Sequence, residues 1–321
     1  ICKKLHVDMS TVILSGVNKT PEDIADALDQ HVGLYTAESQ LHVDLLNAAG
    51  KSRNQVLPVL LRLTSGSQFG MDESVLRNVI ANRGDYPFLS IEGIHYFVGT
   101  QRHKIAEQQK ELVELQLFCE SVQSDYNFKI KKLEYGPGLE VPYFTCDNFE
   151  DTLYPLKELA PQLQELAKSV HVTIEMGRFI VAECGYYMTT VMDTKTNKEV
   201  HYCIVDGGIN HANYFGQLMG MKIPVIEQIS KATCAKTQEK IWTICGSLCS
   251  TGDILTRKIK FDHLSIGDTL AFCNMGAYSV TEGIYLFLSR KMPRIILYKQ
   301  GETSLARDFF ATDILNTKGE L

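Results

Sequence analysis

The stretch that decides the fold is IEMGRFIVAECG, Ile174 to Gly185, read together with the YYMTTVMDTKTNKEVHYCIVDGG that follows it, Tyr186 to Gly208. Upstream of this point short apolar runs alternate with helical segments. Downstream, strand follows strand across polar turns. Candidate strands before it are Thr11 to Leu14, Gly33 to Thr36, Val56 to Leu63, Phe88 to Val98, Lys129 to Glu134 and His171 to Glu175. Between them lie amphipathic stretches such as TPEDIADALDQ, where Thr20 can cap and Glu22 and Asp23 fall in the first turn. Others are SQLHVDLLNAAG, DESVLRNVIANRG, RHKIAEQQKELVELQLFCESVQ and NFEDTLYPLKELAPQLQELAKS.

Apolar strands separated by helices are what a parallel sheet covered by helices requires. Polar and glycine-rich residues at successive strand ends favour a β/α barrel over an open sheet. Six strands are too few to close the usual eight, so the expected class is an α/β protein, a (β/α)8-type TIM barrel lacking its first strands. After Gly185 the segments KIWTICGS, GDTLAFCNMGAY and MPRIILYKQG add strands with hardly a helix between them. A mainly antiparallel β domain is therefore expected from residue 181 to 321, after a barrel domain over residues 1 to 180.

A chain of 321 residues, 45% hydrophobic and with a formal charge of −6, can bury a large core. It shows no basic stripe interleaved with aromatics, which argues against nucleic acid as a partner. No apolar run reaches the length of a membrane span, and ICKKLHVD lacks the layout of a signal peptide, so a cytoplasmic protein is expected. The nine cysteines are odd in number and read as free thiols. Cys245 and Cys249 stand four apart without a second pair or a nearby histidine, so no metal is expected.

Barrel enzymes place chemistry at the C-terminal ends of their strands. Those ends carry Asn18 and Lys19, then Glu38, Arg62, His95 with Thr100, and finally the YGPGL and IEMGR blocks. Gly136 and Gly138 directly follow a strand, where backbone N–H groups can converge on a phosphate; a tight turn with no ligand is the plainer reading. Arg178 could add donors to the same anion. Glu175, at the barrel mouth, needs a partner: either Arg178 or a protonated heteroaromatic nitrogen of a bound cofactor. In the second half Asp206, Cys249, Asp253 and Tyr278 stand in loops at strand ends, although VDGG can be a simple turn and Cys249 an inert thiol.

Taken in order, LLRLTSGSQFGMD, GIHYFVGTQ, LEYGPGLEVPYF, IEMGRFIVAECG, VDGGIN, GSLCSTGDIL and GDTLAFCNMGAY resemble the alanine-racemase-like pyridoxal-phosphate decarboxylases, which include the diaminopimelate and ornithine enzymes. The resemblance runs from about Ser15 to Pro293. It implies pyridoxal 5'-phosphate at the mouth of the barrel, with Gly136, Pro137, Gly138, Arg178 and Tyr278 around the phosphate and Glu175 against the pyridine nitrogen. Arg62, Thr100 and Gly177 belong to the same cofactor-binding blocks. It further implies a homodimer with shared active sites, in which Cys249 reaches over from the partner and returns a proton to the alpha carbon. Glutamate at position 175 argues against the racemase branch, where an arginine faces that nitrogen.

Three departures shape the expectation. The family lysine that carries the cofactor lies on the first barrel strand, and nothing here matches it; Lys3 and Lys4 have the wrong context. An opened barrel would expose edges and apolar faces, so the chain is expected to omit an N-terminal piece. Phe97 replaces a histidine that stacks on the cofactor, and His95 shares its strand face, either as a catalytic group or as a structural one. After Cys249 the chain reads Ser250-Thr251, where the best-known members carry a carboxylate for a distal ammonium. The expected substrate is therefore an amino acid or aminoacyl group with a neutral or carrier-bound far end, with Asp206, Ser250 and Asp253 as substrate-facing candidates. VGTQ is similar to the branch acting on a glutamyl group tethered to an acyl-carrier protein. A non-catalytic homologue working through protein contacts and an amino-acid racemase are the alternatives.

Overall fold

Six short strands pair strictly in chain order: β1 (Ile13–Leu14), β2 (Leu34–Ala37), β3 (Leu57–Leu63), β4 (Leu89–Phe97), β5 (Lys132–Gly136) and β6 (His171–Ile174). Every neighbouring pair is parallel. The structure is a computed structural model that describes residues 1–230 and 239–318. Its helices α1 (Pro21–Asp29), α2 (Gln40–Arg53), α3 (Glu73–Ala81), α4 (Ile105–Tyr126) and α5 (Tyr154–Leu166) supply the crossovers. This arrangement is an incomplete β/α barrel, as the sequence led us to expect.

Local signals explain the helix starts. Thr20 and Asp23 form a reciprocal capping box, and Pro21 occupies the first turn, where its missing N–H costs nothing. Ile24, Ala27 and Leu28 then fall on one buried stripe. Ser39 caps α2 by accepting from the His42 N–H, and Asn54 ends that helix in a left-handed conformation.

The chain divides into two compact units, Ile1–Glu140 with Leu153–Met176, and Val141–Thr152 with Gly177–Leu321. The short excursion Val141–Thr152 joins the second unit because Phe144 bridges Pro224, the Thr145 N–H donates to Ile223, and Tyr143 and Phe144 pack on Tyr214. After α6 (Gly177–Val181), the second unit builds from β7 (Tyr187–Asn197), β8 (Val200–Val205), β9 (Ile226–Ile229), β10 (Lys240–Cys245), β11 (Ile254–Phe261) and β12 (Thr269–Phe272). Their order is β11-β10-β8-β7-β12-β9, antiparallel except for β10 on β8. β13 (Ile295–Lys299) and β14 (Glu302–Arg307) form a separate hairpin. Along β7, Tyr187, Thr189 and Val191 are buried while Met188 and Met192 are exposed, the period of two of a half-covered sheet. Among the described residues no helix is long and apolar enough to cross a membrane.

Candidate active site

Strand register sets the chemistry of the first unit. Arg62 pairs with His95, His95 with Glu134, and Glu134 with Thr173; Glu38 follows Ala37, the partner of Leu61. Glu38, Arg62, His95 and Glu134 thus form one row across four adjacent strands, and all four are buried. Two residues further along each strand comes a second row on the same face. There Phe97 pairs with Gly136, and Glu175 follows Ile174, its N–H donating to the Tyr135 carbonyl.

Ionisable groups in that first row are paired unevenly. Arg62 Nη1 donates to Glu38 Oε2 at 3.0 Å, and the guanidinium stacks 4.6 Å from the centre of the Phe69 ring. His95 Nε2 lies 3.2 Å from Glu175 Oε2; the histidine is 3% exposed, whereas 51% of the glutamate side chain is open. That hydrogen bond holds the Glu175 carboxyl below the usual carboxylate range. Burial pushes the Glu134 carboxyl in the opposite direction. Ligand atoms of His95, Glu134 and Glu175 all lie within 4.8 Å of one another. Glu38 Oε1, Arg62 Nε, His95 Nδ1 and Glu134 Oε2 are buried without a hydrogen-bond partner within the protein, a concentration of polar groups that an ordinary core avoids. Lys19 is buried as well; its ammonium donates to the Gly16 carbonyl, and burial pushes its pKa down to about 8.

In the glycine loop, a Cβ on Gly136 would sit 2.2 Å from the Phe97 ring, so the glycine exists partly to let that ring lie across the second row. Gly138 has φ +62° and no room beside the Gly99 carbonyl. Pro137 accepts from Gln108 Nε2 at 2.7 Å, and the Arg102 N–H donates to Gly138 at 2.9 Å. Thr100 stands in the facing loop after β4, beside Gly99. Arg102 grips Glu111 with both terminal nitrogens, and Glu111 also accepts from the Tyr135 hydroxyl. The loop is therefore held from behind by a partly buried ion pair.

Within the second unit Gly177, Arg178 and Tyr278 come together. A side chain at position 177 would meet the Tyr278 hydroxyl at 2.6 Å. Arg178 donates to the Tyr143 hydroxyl at 2.8 Å and lies about 5 Å from the ring centres of Phe215 and Tyr278. Tyr278 holds φ +61°, a left-handed backbone uncommon for a bulky residue, and its ring is half exposed.

Asp253 and Asp206 are differently employed. Asp253 is buried and accepts from the Ile209 N–H at 2.9 Å on one oxygen and from the Leu248 N–H at 2.8 Å on the other. Gly208 and Gly246 lack side chains where that carboxylate sits. Asp206 accepts from the Thr189 hydroxyl and the Thr190 N–H. Both aspartates tie loops to main chain, while Cys249 and Ser250 are exposed at the tip of the loop that Asp253 fastens.

Within the protein the hydrogen bond to Glu175 comes from His95 rather than from Arg178, the protein partner foreseen for it. Glu134 escaped the sequence reading altogether, although KLEYG places it two residues before Gly136 and hence on the same face. Tyr143 and Phe215, which flank Arg178, were also missed, because nothing local links them to it.

Known proteins place this architecture. L-glutamyl-[BtrI acyl-carrier protein] decarboxylase of Niallia circulans is 27% identical over 92% of this chain and 74% of its own length. Diaminopimelate decarboxylase of Aquifex aeolicus is 24% identical over 96% of this chain and 74% of its own. Among solved structures, diaminopimelate decarboxylase from M. jannaschii in complex with L-lysine superimposes with a TM-score of 0.86 at 20% identity, covering 99% of this chain and 76% of that one. The model of the family described as pyridoxal-dependent decarboxylase, C-terminal sheet domain, matches residues 17–276. With most of its length inside that match, and with the strand-end blocks in the family's order, the chain belongs to the pyridoxal-dependent decarboxylases, whose cofactor is pyridoxal 5'-phosphate.

Proposed function

We propose that the protein removes the alpha carboxylate of an amino acid or aminoacyl group whose far end carries no ammonium, using Glu175 to hold a proton on the cofactor's ring nitrogen. The observation that carries this reading is the His95–Glu175 contact: a buried imidazole keeps a half-open carboxylate ionised. It does so in the same row as an aromatic ring laid over Gly136.

The residues fit a phosphorylated pyridine. An ionised carboxylate in the same row as Phe97 suits a flat ring that carries a protonated nitrogen. Gly136, Pro137 and Gly138 supply a loop without bulk for the phosphate, and buried polar atoms left unpartnered nearby suit a polar ligand. Arg178, with Tyr278 and Gly177 beside it, is our further choice for the phosphate; it follows Glu175 by only three residues in the chain. Arg62 and Thr100 act at the edge of the same loops. When bound, the ring supplies the sink for the electron pair released as carbon dioxide leaves. Glu175, by staying anionic, keeps the nitrogen proton in place and strengthens that sink. Cys249, exposed at its loop tip, is proposed to return a proton to the alpha carbon from the partner subunit of a homodimer.

Substrate choice follows from Ser250-Thr251. A distal ammonium would find hydroxyls where a carboxylate is needed, so an amide-linked or carrier-bound glutamyl group fits better than a diamino acid. The named relative from Niallia circulans acts on such a group. Cytoplasmic residence goes with a carrier-bound substrate.

The test is carbon dioxide release by the protein loaded with pyridoxal phosphate. Rates with a carrier-bound L-glutamyl group should exceed those with diaminopimelate, lysine or ornithine. A preference for a diamino acid would overturn the substrate reading; alpha-proton exchange without carbon dioxide would overturn decarboxylation.

A further inference from the structure

Helix α4 buries one side chain that its stripe does not call for. The buried positions are Gln108, Leu112, Leu115, Phe118 and Val122, three or four residues apart, and Gln108 is the polar member. It is fully buried; its Nε2 donates to the Pro137 carbonyl at 2.7 Å, while Oε1 has no partner within the protein. An apolar residue would fill that place at less cost. The same carbonyl lies 3.4 Å from Arg102 Nη1, and Arg102 is gripped by Glu111, three residues after Gln108 on the helix. Glu111 also accepts from the Tyr135 hydroxyl, so Tyr135 faces α4. Its neighbours Glu134 and Gly136 therefore face the other side of β5, where their partners His95 and Phe97 lie.

We propose that Gln108 and Glu111 are positioning residues for the cofactor phosphate: from behind the glycine loop they hold the Pro137 carbonyl and thereby aim the Gly138 N–H at the anion. The Pro137–Gly138 peptide is trans, so its C=O and N–H point in opposite directions. With the carbonyl drawn toward α4, the Gly138 N–H is turned to the side that carries Gly136 and Phe97, and among the described residues no backbone acceptor meets it. Gln108 acts on the carbonyl directly. Glu111 acts by fixing Arg102, whose own N–H holds the Gly138 carbonyl at 2.9 Å. A carbonyl only accepts, so the end of the glutamine that meets it is the amide NH2, which explains why a polar side chain stands in an apolar stripe. The proposal rests on the reading that the glycine loop takes the phosphate.

The experiment compares pyridoxal phosphate with phosphate-free pyridoxal on the full chain, by affinity and by NMR. Pro137–Gly138 is the one proline-glycine pair in the sequence, so carbonyl-¹³C proline with ¹⁵N glycine labels a single amide. In the wild type, pyridoxal phosphate should shift that signal downfield and pyridoxal should leave it in place. Gln108→Met keeps the length of the side chain and removes the donor. It should bind pyridoxal phosphate about tenfold more weakly, with its affinity for pyridoxal unchanged. Glu111→Gln should lose affinity for the phosphate form alone, by a smaller factor. A purely structural role would weaken both ligands alike, and that result would overturn the proposal. Should Gln108→Met fail to fold, Glu111→Gln decides by the same two affinities. A shifted Gly138 signal with unchanged affinities in both variants would end the positioning role and leave the phosphate reading standing. A Gly138 signal that stays in place while the wild type binds pyridoxal phosphate would take the glycine loop away from the phosphate, and both readings would fall.

Discussion

Each compact unit buries a carboxylate, and the two are treated in opposite ways. In the β unit, both oxygens of Asp253 are met by main-chain N–H groups, so the charge is consumed in holding two loops together. In the βα unit, Glu134 keeps an oxygen without a partner, and so do three other atoms in its row. A buried charge that is fully satisfied is architecture. One left incomplete costs stability, and it recurs where a ligand or a shared proton completes it.

Glu175→Ala sharpens this contrast most. It should lower the decarboxylation rate by about 10²–10³, the usual effect of losing a preorganised electrostatic group, while cofactor binding, followed by absorbance, survives through the phosphate contacts. An unaltered rate would remove the βα unit's claim to the chemistry. Asp253→Ala should act on stability instead: two buried N–H groups lose an ionised acceptor, at about 3 kcal/mol, seen as a lower denaturant midpoint. Retention of the wild-type midpoint would show that the knot in the β unit is not structural.

Gly136→Ala probes the second row. The added methyl must displace the Phe97 ring from 2.2 Å, an overpacking of about 2 kcal/mol that should appear as weaker cofactor binding. The double variant with Phe97→Ala should recover part of it, and no recovery would mean that the ring is not the obstacle. Lys19 gives the smallest effect and a signed one. Its pKa is depressed to about 8, so between pH 8 and the unfolded value of about 10.4 the folded state holds fewer protons than the unfolded chain. The penalty is complete below pH 8 and fades as pH rises through that window. Lys19→Met should then stabilise by about 1–2 kcal/mol at pH 7, with little gain near pH 10.5, in paired denaturation curves. Equal gains at both pH values would show that the buried charge is not the cause.

Much of this was legible in the residues. All six parallel strands announced themselves, because apolar runs bounded by glycine and polar residues have few other solutions. Helix α1 was marked by Thr20 as a cap and by Glu22 and Asp23 in its first turn. What stayed hidden depended on partners far away in sequence. Asp253 reads as a substrate ligand because a sequence does not reveal that Ile209 and Leu248 will point their N–H groups at it. Glu134 reads as the polar member of an alternating strand, and only the register with His95 gives it meaning. Gly136 suggested an anion-binding turn, whereas its lack of a side chain also seats Phe97. Strands β9 and β14 alternate too weakly over too few residues to be separated from loops.

The Asp253 fastening also divides labour along one loop. Leu248 and Asp253 are its anchors, and the Ile209 backbone is the post to which they are tied. The side chains of Cys249 and Thr251 take no part in that tether and face outward. Residues at the tip can thus be exchanged for a different recognition chemistry while the mooring beneath them stays the same, a division that lets one scaffold serve many clients.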